Sequence, residues 1–289
     1  MSTDTPLSPQ LVERVLERLG FASRPEANLR GLTDLYGAWC QQVPSDNVQK
    51  LIHLRSHAPG PLPGDDAGAV LEAWLEHGTG STCWGASSAM HELLEALGFR
   101  AHRVLSTIVF TPDLAPNHGT TIAEIDDEIF LVDTSLLHGE PLLLSRERET
   151  AIEHAAWALP ARFEEGQFWF DVSPLLTTGS LPTRMDVIGV SQEQVRERNE
   201  ATREWGPFNY ALSVRTNRGA RVIGTAWMKR IEIDAAGERT EQAFDRAKRT
   251  RWLIEEIGLS EEIVEKLPED LPTPPPPRVA TDAQDLGSA

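Results

Sequence analysis

Cysteine is nearly absent from this chain of 289 residues: there are two, Cys40 and Cys83. Two are too few for a disulfide framework or a four-ligand zinc site. Long apolar runs are also missing; none approaches the roughly 20 residues of a membrane span. The first residues, MSTDTPLSPQ, lack the basic stretch and apolar stretch of a secretory leader. A cytoplasmic, reducing location with two free thiols and no membrane partner is therefore expected. Basic residues are scarce, 27 Lys and Arg against 44 Asp and Glu, for a net charge of -17. Nucleic-acid binding needs clustered cations on phosphates, so this balance argues against a nucleic-acid partner and against an anionic membrane surface. It does not exclude a small anionic ligand, which needs only a local positive site.

What is present is the composition of a folded protein. The hydrophobic fraction is 40%, and the length suits two or three compact units. Leu11, Val12, Val15, Leu16 and Leu19 fall on one helical face, and Gly20 follows as a stop. A second helix is expected from about Leu29 to Cys40. Pro44 breaks the pattern before a third, and further helices are expected over Val70–His77 and from Cys83 to Gly98. The texture then changes. RVLSTIVF, TTIAEI and EIFLVDTS are β-rich, with a turn at Asp126-Asp127, and ARFEEGQFWFDVS predicts a hairpin at Glu165-Gly166. A helical SQEQVRERNEATREW precedes FNYALSVRT and RVIGTAWMKRIEID, with turns at Asn217–Gly219 and near Ala236-Gly237, and two short helices over 243–257 and 260–267. Helices first, then strands, then a small sheet with helices predicts an α+β fold. The end, from Pro268, is rich in proline and acid and is expected to be disordered.

The segment GTGSTCW carries the first chemical signal. Ser81 and Thr82 are competent helix N-caps, so Cys83 falls in a first helical turn, where free N–H groups and the helix dipole favour a thiolate. Taken alone, a free cysteine is more often buried packing, the reading given to Cys40. The second signal is a hairpin. Reversal through Asp126-Asp127 sets Ser135 opposite His118 and Thr120 opposite Asp133, so His118 and Asp133 project from one face as diagonal neighbours. The carboxylate can then hold the imidazole in one tautomer. Cys83, His118 and Asp133 form a plausible nucleophile, base and orienter; a register slip of one residue would part the last two. The remaining histidines carry less. His53 and His57 have metal-pair spacing on a helix but no HExxH pattern, and a solvated face is the simpler reading, so no metal is expected. His91, four residues before Glu95, reads as an exposed helix residue. PTPPPP is a polyproline II ligand or part of a disordered tail.

The order Cys83, His118, Asp133, at spacings of 35 and then 15 positions, resembles the arylamine N-acetyltransferase family. VLERLGF is similar to its opening helix, VPSDNVQKL to its proline-phenylalanine-glutamate-asparagine segment, and PFNYALSVRTNRGARVIGTAWMKRIEID to its third-domain strands. The resemblance spans roughly Leu11 to Leu267. It implies a helical bundle over 1–99 carrying Cys83, an antiparallel β-barrel over 100–205 carrying His118 and Asp133, an α/β lid over 206–267 and a tail over 268–289. It also implies an acyltransferase that takes an acetyl or other acyl group from coenzyme A through a Cys83 thioester to a small-molecule amine. Acetyl-CoA or another acyl-CoA is then a co-substrate, and no cofactor is bound permanently. Trp84 and Thr82, flanking Cys83, are the candidate substrate-binding residues, with Trp84 either lining an aromatic acceptor pocket or packed in the core. The departures from the family are specific. Thr79, Gly80, Ser81 and Thr82 replace its Arg-Gly-Gly-aromatic, Gly85 and Ser87 replace a polar pair, Asp46 replaces a glutamate, and SLLHG replaces a Gly-Phe-Gly loop. Three other readings stand beside the acetyltransferase: an amide synthase of the same family with a longer acyl donor, a transglutaminase-like cysteine amidase or protease, and a non-catalytic binding protein.

Overall fold

The computed structural model describes residues 6–110, 114–175 and 179–275. Five helices build the first third: α1 (Pro9–Arg18), α2 (Leu29–Gln42), α3 (Val48–Arg55), α4 (Ala67–His77) and α5 (Cys83–Ala96). Each boundary has a local cause. The Ser8 side chain caps α1, and proline follows at its first position. Asn28 caps α2, Asp66 caps α4, and α4 stops at Gly78 in the left-handed conformation. The apolar stripes of α1, α2, α4 and α5 meet in one core around Tyr36, Trp39 and Trp74. Truncating either tryptophan to alanine would cost about 3–5 kcal/mol. Cys40 is buried in this core, in keeping with packing.

Eight strands follow: β2 (Arg100–Ile108), β3 (His118–Ile125), β4 (Glu128–Leu131), β5 (Leu142–Leu144), β6 (Thr150–Ile152), β7 (Leu159–Glu164), β8 (Gln167–Val172) and β9 (Leu181–Ile188). They form one antiparallel sheet in the order β5-β4-β3-β2-β9-β8-β7-β6. β5 also packs on β6 and β7, so the sheet curls into a nearly closed barrel around Ile122, Leu131, Phe170 and Met185. Asp126 and Asp127 both take positive φ, 50° and 67°, the geometry of the type I′ turn that matches strand twist. This turn pairs Glu124 with Ile129 and Ile122 with Leu131. Continued along the strands, the register sets Thr120 opposite Asp133, as the two-residue reversal predicts.

Helix α6 (Gln192–Ala201) begins with a Ser191–Gln194 capping box. It packs on α5 and reaches back with Gln192 to the Asp65 carbonyl and with Asn199 to that of Pro63. It thus lies against the helical bundle, although its residues fall within the stretch expected to be barrel. The last sheet contains β10 (Ser213–Arg218), β11 (Arg221–Ala226), β12 (Lys229–Ile233) and β13 (Arg239–Ala243), with β1 (Ser45–Asp46) antiparallel to β10 at its edge. RVIGTAWMKRIEID, expected as one strand, is two. It reverses at Trp227 and Met228, both at positive φ, with no glycine or asparagine to announce the turn. Helix α7 (Arg246–Trp252), a π-turn over Leu253–Ile257 and α8 (Glu261–Glu265) cover this sheet. Residues 268–275 belong to the stretch expected to be disordered. There, Asp270 accepts from Arg249 and from the Leu212 N–H, and the Leu271 N–H donates to the Tyr210 carbonyl. The remainder of that stretch, 276–289, and with it the end of PTPPPP, lies outside the described residues. Among the described residues, no helix is long and apolar enough to cross a membrane.

Candidate active site

Asp46 and Gly80 organise the approach to α5. The Asp46 carboxylate accepts the Val48 N–H at 2.9 Å and the Gly80 N–H at 2.6 Å, and its own N–H donates to the Ser81 carbonyl. Residue 80 has to be glycine, because a Cβ there would lie 1.7 Å from the Pro44 carbonyl oxygen. Burial pushes the Asp46 carboxyl up to about 6, against the opposing pull of those two N–H donors. The Asp46 carboxylate is thus satisfied by backbone N–H groups.

Cys83 is the first residue of α5 and is partly exposed. Thr82 occupies the N-cap position as expected, but its side chain makes no capping bond, and its Oγ1 is buried with no hydrogen-bond partner. His118 opens β3, is 3% exposed, and lines one cavity with Cys83, with which it interacts electrostatically. Its Nε2 lies 2.6 Å from Asp133 Oδ2, so Nδ1 is the ring nitrogen not engaged by the acid. The other carboxylate oxygen of Asp133 accepts from the Ser135 N–H, the Ser135 hydroxyl and the Leu136 N–H. Tyr36 donates its hydroxyl to the Asp133 carbonyl at 2.6 Å, and the Asp133 N–H donates to His138 Nε2. Asp133 is therefore held on every side by the bundle and by its own loop.

The electrostatics follow from this enclosure. Burial by itself would lower the His118 imidazole, but Asp133 and Cys83 outweigh it and raise the ring to about 10. Burial by itself would raise Asp133, but His118 holds the carboxyl well below the usual range. Burial pushes His138 down to about 4, so it is a neutral acceptor.

Cys83 and His118 open onto a cavity of about 140 Å³ between the bundle, the barrel and the last sheet. Thr82 lies on its wall. Trp84 does not; it packs with Leu105, Val190 and Val195, so the core alternative describes it. Its ring lies where a Cβ at Gly119 would be 2.8 Å away. His91 corrects an expectation: it is 5% exposed rather than surface, because β2 and β3 cover that face of α5. His53 and His57 do not share a helix, since α3 ends at Arg55 and His57 has φ 51°. Two cations near the thiol were missed. Lys50 is buried with Nζ 2.7 Å from Thr202 Oγ1 and interacts electrostatically with Cys83. Arg215 is buried on the cavity wall. The only available sign for Lys50 was its place between the core residues Val48 and Leu51; the strand SVRT offered none for Arg215.

No family model matches the chain, and no curated protein matches it. Solved structures do. The arylamine N-acetyltransferase from Mycobacterium abscessus superposes with a TM-score of 0.72 at 17% identity, over 91% of this chain and 98% of its own. The Mycobacterium marinum enzyme gives 0.74 at 16%, over 89% and 95%. That from Salmonella typhimurium gives 0.73 at 15%, over 90% and 98%. The fold is that of the arylamine N-acetyltransferases. Bundle, barrel and final sheet all take part in the match, since so little of either chain is left out. Within this fold, His118 and Asp133 are hydrogen-bonded, and Cys83 lines the same cavity as His118.

Proposed function

We propose that the protein is a thiol-dependent acyltransferase that works through an acyl-Cys83 intermediate. The observation that carries this reading is His118, which bonds Asp133 and lines one cavity with Cys83, the first residue of α5. His118 takes the thiol proton as the sulfur attacks the carbonyl of an acyl thioester. The tetrahedral oxyanion faces the first-turn N–H groups of α5, which the helix itself leaves unpaired. Collapse expels the donor thiol, which regains the proton. A small-molecule amine then attacks the acyl-Cys83 thioester, His118 removes its proton, and the cysteine leaves. Asp133 holds the ring in the tautomer that both steps need. Splitting the transfer in two makes each half easier. Coenzyme A is the proposed donor carrier; the fold is shared with a Mycobacterium marinum arylamine N-acetyltransferase solved in complex with CoA. Acetyl-CoA or another acyl-CoA is thus a co-substrate.

Intact-protein mass spectrometry after brief exposure to acetyl-CoA and to longer acyl-CoA tests the reading. An acyl-sized increment that is absent in Cys83→Ala is the expected result. Failure of every thioester to acylate a Cys83 that still alkylates readily would overturn it and favour an amidase with water as acceptor.

A further inference from the structure

His91 lies about two turns past Cys83 on α5, under the cover of β2 and β3, and is 5% exposed. Its Nδ1 has no hydrogen-bond partner among the described residues. It faces two carboxylates instead: Glu95 Oε2 at 3.6 Å and Glu92 Oε1 at 3.7 Å. The three side chains bring one ligand atom each to within 4.8 Å of the others. Glu92 is nearly buried, its side chain 11% exposed, and accepts from Arg103 of β2. Glu95 reaches the surface, its side chain 52% exposed. On the strands that cover the helix, Glu124 is engaged by Arg100 and His102, and His102 interacts electrostatically with His91 and Glu95.

The spacings distinguish a shared cation from a pair of hydrogen bonds. N–H···O bonds span about 2.7–3.2 Å, so neither carboxylate bonds the ring. Ligand atoms held at about 2.0–2.1 Å from one tetrahedral cation stand roughly 3.4 Å apart. His91 Nδ1 meets both carboxylates within a few tenths of an ångström of that separation. The helix supplies the arrangement, because positions 91 and 95 are neighbours on one face. An imidazole with two carboxylates suits zinc and its first-row neighbours, whereas magnesium and calcium take oxygen alone. Three protein ligands leave a fourth position for water.

We infer that His91, Glu92 and Glu95 form a binding site for one divalent transition cation, zinc foremost. None of the three is among the residues lining the Cys83 cavity, and the inference stands apart from the acyltransferase reading. An ion there ties the second half of α5 together beneath β2 and β3 and stabilises the fold by linkage. The sequence predicts no metal while His91 is taken as exposed; burial is what leaves its Nδ1 facing two acids and no water.

Zinc is titrated into the full chain, wild type and Cys83→Ala, in competition with a chromophoric chelator. One equivalent should bind both forms with similar affinity and raise the melting temperature of each. Glu95→Gln removes the ligand whose side chain is half in solvent, so the metal-free variant should melt as the wild type does. It should bind zinc more than about 100-fold more weakly, beyond the 10- to 100-fold effect of an outer-shell partner. His91→Gln should behave alike; if it fails to fold, Glu95→Gln alone decides. Cobalt(II) in place of zinc should give visible bands without the thiolate-to-metal absorption of a cysteine ligand. Iodoacetamide should alkylate Cys83 at the same rate with and without one equivalent of zinc. Equal zinc affinity in Glu95→Gln and the wild type overturns the inference, as does a wild type that takes no zinc from the chelator. Binding that is lost in Cys83→Ala, or that protects Cys83 from alkylation, also overturns it, since either places the metal on the thiol.

Discussion

His118 and Asp133 share a 2.6 Å hydrogen bond in a place that solvent does not reach, one at 3% exposure and the other at none. In the acyltransferase proposed above, their partnership sets the chemistry as well as part of the stability. Asp133→Asn should leave the backbone in place but disturb the tautomer, slowing acylation of Cys83 by about 10²- to 10⁴-fold. Stopped acylation reactions read by mass spectrometry give the rate.

The same pair predicts a pH dependence. The His118 imidazole is raised from 6.5 to about 10 in the folded protein. Its contribution to stability is therefore complete below about 6.5 and is lost as the pH rises through about 10. Urea unfolding should show the wild type well above Asp133→Asn at pH 6.5, with the gap narrowing toward pH 10. A gap of constant size across that range would contradict the assignment.

Lys50 predicts the opposite slope. Burial pushes its ammonium down from 10.5 to about 8, in spite of the nearby Cys83 and Glu200. A lowered base penalises the folded state below the folded value, and the penalty fades as the pH rises toward 10.5. Lys50→Met should thus be more stable than the wild type by about 2–3 kcal/mol at pH 7, with no gain at pH 10.5. Thr202 keeps its own bond to the Asn199 carbonyl in the variant. Alkylation of Cys83 should slow in the same variant, because a positive neighbour of the sulfur is removed.

Asp46→Ala removes the acceptor of two buried N–H groups, those of Val48 and Gly80. The expected loss is about 1–3 kcal/mol. Because the Asp46 carboxyl is raised from 3.8 to about 6, its contribution is largest at acid pH and declines through about 6. Denaturation of both proteins at pH 5 and pH 7.5 should show the larger difference at pH 5.

Gly119→Ala tests the seat of the base. A Cβ there meets Trp84 Cε3 at 2.8 Å and Ser87 Oγ at 3.0 Å, and both belong to buried side chains. Overpacking of this kind costs about 1–3 kcal/mol. It also displaces the residue next to His118, so acylation should slow by more than the loss of folded protein accounts for. Melting and acylation measured on the same samples separate the two effects.

The pair His118 and Asp133 could be read from the chain because one local device controls it. The two-residue turn at Asp126-Asp127 determines which residues of β3 and β4 face each other, and only a few residues separate that turn from either side chain. Cys83 was readable for a similar reason, as the first residue after a glycine-containing lead-in to a helix. Arg215 was not, because its position depends on the pairing of β10 with β1, a contact that leaves no periodicity in SVRT. Burial of His91 depends on β2 and β3 lying over α5, and its spacing from Glu95 is the same on a covered helix as on an exposed one. The turn at Trp227-Met228 was hidden because its positive φ values fall on residues that rarely adopt them.

The two residues of β1 have a consequence for how the molecule is made. The Ser213 N–H donates to the Asn47 side chain across 166 residues of sequence, and β1, which bridges Ser81, pairs among the described strands with β10. On the ribosome, the helices and the barrel can gather in order as they emerge, but the wall that carries Arg215 joins them only when the final quarter of the chain arrives. Cys83 and His118 are therefore translated long before the cavity they line has all its walls. Late closure by β10 is the step that completes it.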